Sequence, residues 1–349
     1  MLPFVDMSSA LRDLGIELPV LAAPMAGGPT TPELVVAAAR AGSLGFLPAG
    51  YKTPDALAEQ LALLRASGAP FGVNVFAPNP VPVDPAEFRA YADAIQREAD
   101  RFGIDLSDSP IVEDDDFWGD KLDMLVADPV PAVSFTFAIP DRGTIAALRA
   151  AGTVVLQTVT TLEEARAAEE AGVDVILLQA SAAGGHSGTM HPDRPSPQVA
   201  LPDLVGQVSA AVALPVVGAG GVSTAADVVV ALEAGAVAVA VGTALLLADE
   251  AGTSATHRDA LRDHSRTTTV MTRAFTGRPA RALENGFTRA YSGVAPTGYP
   301  ALHHLTRSMR QAAAAADDAD RLHLWAGTGW QHAEAMPAAE ILASLASRA

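Results

Sequence analysis

Apolar residues fall into short runs separated by alanine-rich stretches with helical spacing, and the runs at 20–23, 44–48, 71–75, 132–135, 153–157, 175–179, 216–218 and 236–241 read as strands. The run at 175–179, VILLQ, is too short for a helix. Its β-branched start favours a strand buried on both faces, as in a parallel sheet. One transition recurs: an alanine-rich helix, then Ala-Gly, then a strand, in AAARAGSLGFL, LRAAGTVVLQ, AEEAGVDVILL and ALEAGAVAVAV. Each glycine sits where a left-handed residue ends a helix. Strands alternating with helices in this way predict a (β/α)8 TIM barrel, with a doubly wound open sheet as the alternative.

Two parts exceed a minimal barrel. Residues 78–131 form an insertion after the third strand, with a helical section near 87–101 and an acidic run at 113–116. Beyond 250 come helical stretches such as 308–317 and the glycine-containing FTGRPARALEN and WAGTGW. Phe, Trp and Leu are spread through both, unlike a disordered composition. We therefore divide the chain into a barrel at 1–250, including the insertion, and a C-terminal helical extension at 251–349 expected to cover the barrel mouth.

Charge narrows the partners. A formal net charge of -17 and a pI near 4.7 oppose binding to nucleic acid or an anionic membrane surface, both of which call for basic protein. The absence of cysteine excludes disulfides, thiolate catalysis and cysteine-bound metal, and suits a reducing compartment. The opening MLPFVDMSSALRDLGI carries an early acid and no basic stretch, so no signal peptide is expected. The longest near-continuous apolar run, 234–248, falls short of the roughly 20 residues that span a bilayer. The expectation is a cytoplasmic enzyme acting on a small molecule.

Candidate chemistry gathers where strands end, the place at which α/β folds hold ligands. After Gln179 comes a small-residue loop in which Gly184 and Gly185 precede His186, so that backbone can lie against something flat while the ring is presented to it. From 214 onward two glycine-rich turns, 218–221 and 242–243, each lead into a helix, with Thr224 as N-cap and Asp227 three residues on. One such turn need only be tight; two in succession offer free N–H groups and helix N-termini to a phosphate. Met25, in PMAGG, ends the first strand, with Thr30 or Thr31 placed to cap the next helix. Asn74 ends the third, where an amide both donates and accepts, as the imide edge of a heterocycle requires.

Together these segments resemble the nitronate monooxygenase family, formerly called 2-nitropropane dioxygenases, which are flavoproteins with a barrel fold. The matching stretches are PMAGG, AGSLGFLPAGY, FGVN, VSFTF, Gln179 with AGGHSGT, VVGAGG, VGTALLLADE, TGRPAR with Asn285, and TGYPALHHLT with WAGTGW, nearly from end to end. The resemblance implies non-covalent FMN held by Asn74, Gln179, Gly184, Gly185, Gly220, Gly221, Ala240, Val241, Gly242 and Thr243, with Met25 near the ring and His186 as the active-site residue. It also implies oxidation of propionate 3-nitronate or alkyl nitronates by O2 to a carbonyl compound and nitrite. Two stretches depart from the family pattern: Gln179 is followed by Ala-Ser-Ala rather than Gly and an acid, and Ala240-Val241-Gly242-Thr243 stands where Gln-Leu-Gly-Thr is usual. Backbone contacts to phosphate survive both changes, whereas a side-chain contact from that glutamine does not.

Other residues carry plainer expectations. His191 is either a second imidazole near the mouth or, the plainer reading, a surface-loop histidine; His303 and His304 either cap or pack or, by the resemblance, approach the flavin. Arg273, Arg278 and Arg281 either meet an anionic substrate or, the plainer reading in so acidic a chain, form surface ion pairs. The run at 113–116 reads as a solvated loop without calcium-loop spacing, and no zinc spacing occurs, so no metal is expected. An unperturbed His186 titrates near about 6.5, and a proton-abstraction rate would rise with pH there. The rival functions are an NAD(P)H-dependent FMN reductase of the enoyl-thioester or quinone type, and a flavin-free phosphate-binding isomerase or lyase. A non-catalytic flavin-binding protein is a weaker rival, because an imidazole is placed beside the implied ring.

Overall fold

The computed structural model describes residues 9–12, 14–194 and 197–349; the first eight residues, on which the reading of the amino terminus rests, lie outside them. Each of the eight apolar runs yields a strand: β1 (Val20–Ala22), β2 (Phe46–Pro48), β3 (Gly72–Phe76), β4 (Ala132–Thr136), β5 (Val154–Val159), β6 (Val175–Gln179), β8 (Val216–Ala219) and β9 (Ala238–Val241). They pair in parallel in the order β1-β9-β8-β6-β5-β4-β3-β2. A bridge from Ala22 to Gly45 closes the ring, with Ala22 N–H donating to the Leu44 carbonyl at 2.9 Å. The fold is therefore a barrel and not an open sheet. At the recurring helix-to-strand transition Gly42, Gly152, Gly172 and Gly235 have φ of 80°, 91°, 97° and 111°, which explains the repeated Ala-Gly.

Within each continuous run the two faces still alternate. Leu21, Val175, Leu177 and Val217 fill the barrel interior, while Val20, Ile176, Leu178 and Val216 pack outward against the helices. Phe46 takes so much of the interior that a Cβ on its neighbour Gly72 would lie 2.4 Å from its ring.

A second, three-stranded sheet has no sequence expectation behind it. β10 (Thr269–Thr272) and β11 (Ala280–Leu283) form an antiparallel ribbon, and β11 pairs with β7 (Gly185–His186), the loop that follows β6. The C-terminal region thus grips the histidine loop by its backbone. In the insertion, helix Pro85–Asp100 buries Phe88, Tyr91 and Ile95 against Phe275, Phe287, Leu302, Leu305 and Met309. It stands behind helix Ala301–Ala315, so packing here crosses the boundary drawn at 250. Helix Ala338–Ala346 crosses it too, packing on β1, on helix Pro32–Arg40 and on helix Ala225–Glu233, where it completes the outer layer. Among the described residues no helix is long and apolar enough to cross a membrane.

Candidate active site

A cavity of about 550 Å³ opens at the carboxyl ends of the strands, and all of the site residues picked out by sequence, from Met25 to Thr243, line it. Such a volume suits a small-molecule or cofactor site. The remaining wall comes from helix Ala301–Ala315, through His303, Arg307, Arg310, Gln311 and Ala314, and from the segment His323 to Gly329; no residue of 78–131 takes part.

His186 is held from several sides. Gln179 donates through Nε2 to the His186 carbonyl (3.0 Å) and accepts at Oε1 from Gly188 N–H (2.7 Å), so each end of its amide keeps only one further hydrogen bond for a ligand. Ser187 N–H donates to the Pro279 carbonyl (2.8 Å), and His186 Nε2 lies 2.9 Å from Thr276 Oγ1. The buried Glu164 carboxylate accepts from Thr160 on one side and from Thr189 Oγ1 and Met190 N–H on the other, tying the loop back to the barrel. The two glycines divide the labour differently from the expectation. Gly185 has φ 74°, with nothing near an added Cβ, whereas a Cβ on Gly184 would meet Gly327 N at 2.5 Å. The flat surface under Gly184 is the backbone of the C-terminal segment.

The imidazole ring is open to the cavity and otherwise enclosed by Phe137, Tyr299 and Trp325, with centroids 5.9, 5.8 and 5.4 Å away. Burial, reinforced by the Arg278 and Arg310 cations, pushes its pKa down from 6.5 to about 3. This corrects the expected titration near 6.5: the ring is neutral throughout the physiological range. His257 is pushed down by burial to about 4, and burial also holds His303 and His323 well below the ordinary value. All three line the cavity. His257 and His323 escaped the sequence reading because neither stands in a glycine-rich strand end.

At the opposite end, the turns after β8 and β9 present backbone. Gly220 and Gly221 have φ of 102° and 81°, and a Cβ on Gly220 would sit 2.8 Å from both Ala180 O and Ala183 N. The N–H groups of Gly220, Gly221 and Thr243 donate to no backbone carbonyl among the described residues. Thr224 does cap helix Ala225–Glu233, and Asp227 completes a capping box by accepting from the backbone N–H of Ser223 (2.9 Å) and Thr224 (2.8 Å). That carboxylate fills the helix N-terminus, so the groups left free to meet a ligand here are the loop N–H groups and the turn opening the short helix Thr243–Leu245, and not two helix ends. Met25 lies against this second turn, its sulfur 3.5 Å from where a Cβ on Gly242 would be. Asn74, nearly fully buried, donates to Ser134 Oγ (2.9 Å) and Thr136 Oγ1 (3.0 Å), which fixes its amide plane at the end of β3.

Several plainer expectations are overturned. Arg278 and Arg281 are not surface ion pairs: Arg278 is fully buried, donates to the carbonyls of Ser187 and Thr189 and stacks over Phe137 at 3.9 Å, while Arg281 Nε donates to the Ser181 carbonyl at 2.7 Å. Arg273 holds the Pro192 carbonyl. The acidic run at 113–116 is an exposed loop at Glu113, Asp114 and Asp115, as expected, but it is also anchored: Glu113 accepts from Val83 N–H, Asp114 pairs with His304, and the half-buried Asp116 pairs with Lys121. His303 lines the cavity; His191 and His304 do not.

A family model described as nitronate monooxygenase matches residues 8–348. The chain belongs to the nitronate monooxygenase family. It is 32% identical over 329 residues to a probable nitronate monooxygenase of Bacillus subtilis (strain 168), with 93% of each chain covered. Among solved structures it is similar to a nitroalkane oxidase from Streptomyces ansochromogenes, at 46% identity, TM-score 0.91 and 97% of each chain. FabK from Thermotoga maritima is more distant, at 26% identity, TM-score 0.75, and 98% of this chain against 96% of that one. As a nitronate monooxygenase family member the chain is an FMN-dependent oxidoreductase. The residues present fit that cofactor: loop N–H groups with no acceptor among the described residues, a Gly220 that has no room for a Cβ beside the 180–183 loop, and a fixed amide at the far end for a ring edge.

Proposed function

We propose that this chain oxidises alkyl nitronates or propionate 3-nitronate with O2, giving a carbonyl compound and nitrite. The observation that carries the reading is electrostatic. The chain has 40 Asp and Glu against 23 Lys and Arg, yet among the described residues no acid lines the cavity, while Arg307 and Arg310 do. Arg278 adds a third cation behind His186. Such a lining favours an anion, and a nitronate is one.

In this reading Gly220, Gly221, Gly242 and Thr243 hold the FMN phosphate, and Asn74 and Gln179 meet the ring. FMN supplies the redox chemistry when bound. The Thr276 hydroxyl has the Arg278 carbonyl to donate to, at 3.4 Å, so it accepts from His186 Nε2–H and leaves Nδ1 with its lone pair. A pKa of about 3 makes that lone pair a weak base, so it takes the α-proton of a neutral nitroalkane only as the nitronate's negative charge develops beside the ring and offsets the two cations; with a preformed nitronate no proton need move, and the arginines orient the anion. For the domains we propose the barrel at 1–250 and the extension at 251–349, the latter sharing a core with the insertion. The acidic charge and lack of cysteine support a cytoplasmic protein with a small-molecule partner.

Oxygen uptake with an alkyl nitronate and no added nicotinamide is the test, run on protein whose heat-released flavin chromatographs as FMN. The rival to be excluded is an NAD(P)H-dependent reductase on the same barrel. Rapid NADH oxidation with inert nitronates would replace our reading by that one.

A further inference from the structure

We infer that Asp116, in the insertion, is a positioning residue for the active site, holding the Tyr51 backbone and thereby the Tyr51 ring against His303. Tyr51 follows β2 and lines the cavity, with φ at 67°, a left-handed conformation rare for tyrosine. Asp116 and Phe117 share that conformation, at φ 56° and 57°. Such backbone persists only where its surroundings over-determine it.

The surroundings are specific. Asp116 Oδ1 accepts from Tyr51 N–H at 3.0 Å, across 65 residues of sequence. Its Oδ2 lies 2.8 Å from Lys121 Nζ, on a side chain with no exposed surface. The Tyr51 ring stacks on His303 at 4.2 Å and 5°, and its hydroxyl accepts from that of Tyr299 at 3.3 Å. Tyr299 in turn packs edge-on to His186. Asp114, two residues before Asp116, pairs with His304 at 2.9 Å. The docked acidic run therefore ties the loop after β2 to helix Ala301–Ala315 at the height of the cavity, without itself touching the ligand space.

The ion pair alone would explain only a stable insertion, so the test separates the pair from the acceptor. Asp116→Asn/Lys121→Met removes both charges and keeps an Oδ1 acceptor; Asp116→Ala/Lys121→Met removes the acceptor as well. This inference rests on the proposed nitronate reaction for its kinetic arm only. With a nitronate as substrate, the alanine pair should lose about 10- to 100-fold in kcat/KM, the scale of a misplaced site, while keeping its FMN, and the asparagine pair should stay close to wild type. Independently of activity, hydrogen exchange at the Tyr51 amide should accelerate in the alanine pair and not in the asparagine pair. Wild-type enzyme inert to nitronates defeats the function and leaves the exchange arm to decide. Equal exchange in the two double variants, or equal nitronate kinetics in them, overturns the role of Asp116.

Discussion

At the end of the cavity where we propose the FMN phosphate sits, the wall is backbone from two neighbouring turns, Gly220–Gly221 and Gly242–Thr243. At the imidazole end it is side chains from elements far apart in sequence: Tyr51 after β2, His186 after β6, Thr276 beside the ribbon, His303 and Arg310 on helix Ala301–Ala315, and Trp325 beyond it. Backbone donors tolerate loss of neighbouring side chains but not the addition of a Cβ. A side-chain constellation behaves the other way round: truncation disables it and the scaffold survives. The two ends should therefore fail separately, one in cofactor retention and the other in turnover.

The largest effect should come from His186→Ala. Turnover should fall by about 100- to 10,000-fold with neutral nitroalkane, and less with preformed nitronate, while the flavin spectrum is kept. Wild-type rates with both substrates would make the ring structural. Because His186 titrates at about 3, the wild-type rate should show no histidine inflection near 6.5. Gly220→Ala should do the reverse, weakening FMN by about 10- to 100-fold through strain at φ 102° and collision with the 180–183 loop. A fluorescence titration measures this, and unchanged affinity would move the cradle elsewhere.

Acid should also act at the imidazole end. His186, His257, His303 and His323 all take up protons less readily folded than unfolded, so their contribution to stability is full above pH 6.5. It is lost as pH falls towards the folded values, about 4 for His257 and about 3 for His186. Thermal midpoints of FMN-free protein should drop through that window, and a flat profile would count against four neutral rings. The smallest effect belongs to Thr224→Ala: about 1 kcal/mol of stability lost with the cap. FMN should be retained, since Asp227 already occupies that helix end; a colourless variant would restore the free helix N-terminus to the cradle.

What was legible in the sequence follows the same division. The barrel strands and the glycine turns are local features, set by a run of residues and a turn requirement, and each stands where the pattern placed it. His186 was legible because its loop carries the same signature. Tyr51, His257, Arg310 and His323 were not, because only packing across the fold brings them to the cavity; Thr276 is 90 residues from the imidazole it contacts. Arg278 shows the limit most clearly. In an acidic chain an arginine reads as exposed and paired, and nothing local reveals that its partners are two loop carbonyls and the face of Phe137.

Helix Ala338–Ala346 lies against β1 and helix Pro32–Arg40, among the earliest elements of the barrel. On the ribosome this helix of the outer layer follows the ribbon, helix Ala301–Ala315 and the Trp325 segment. The nascent barrel must wait with an apolar flank uncovered, and emergence of this helix, not completion of the eighth strand, marks the moment at which it can become a closed unit. A fragment stopped at 250 would keep that flank exposed permanently, and expression of such a fragment should give aggregate and not a smaller flavoprotein.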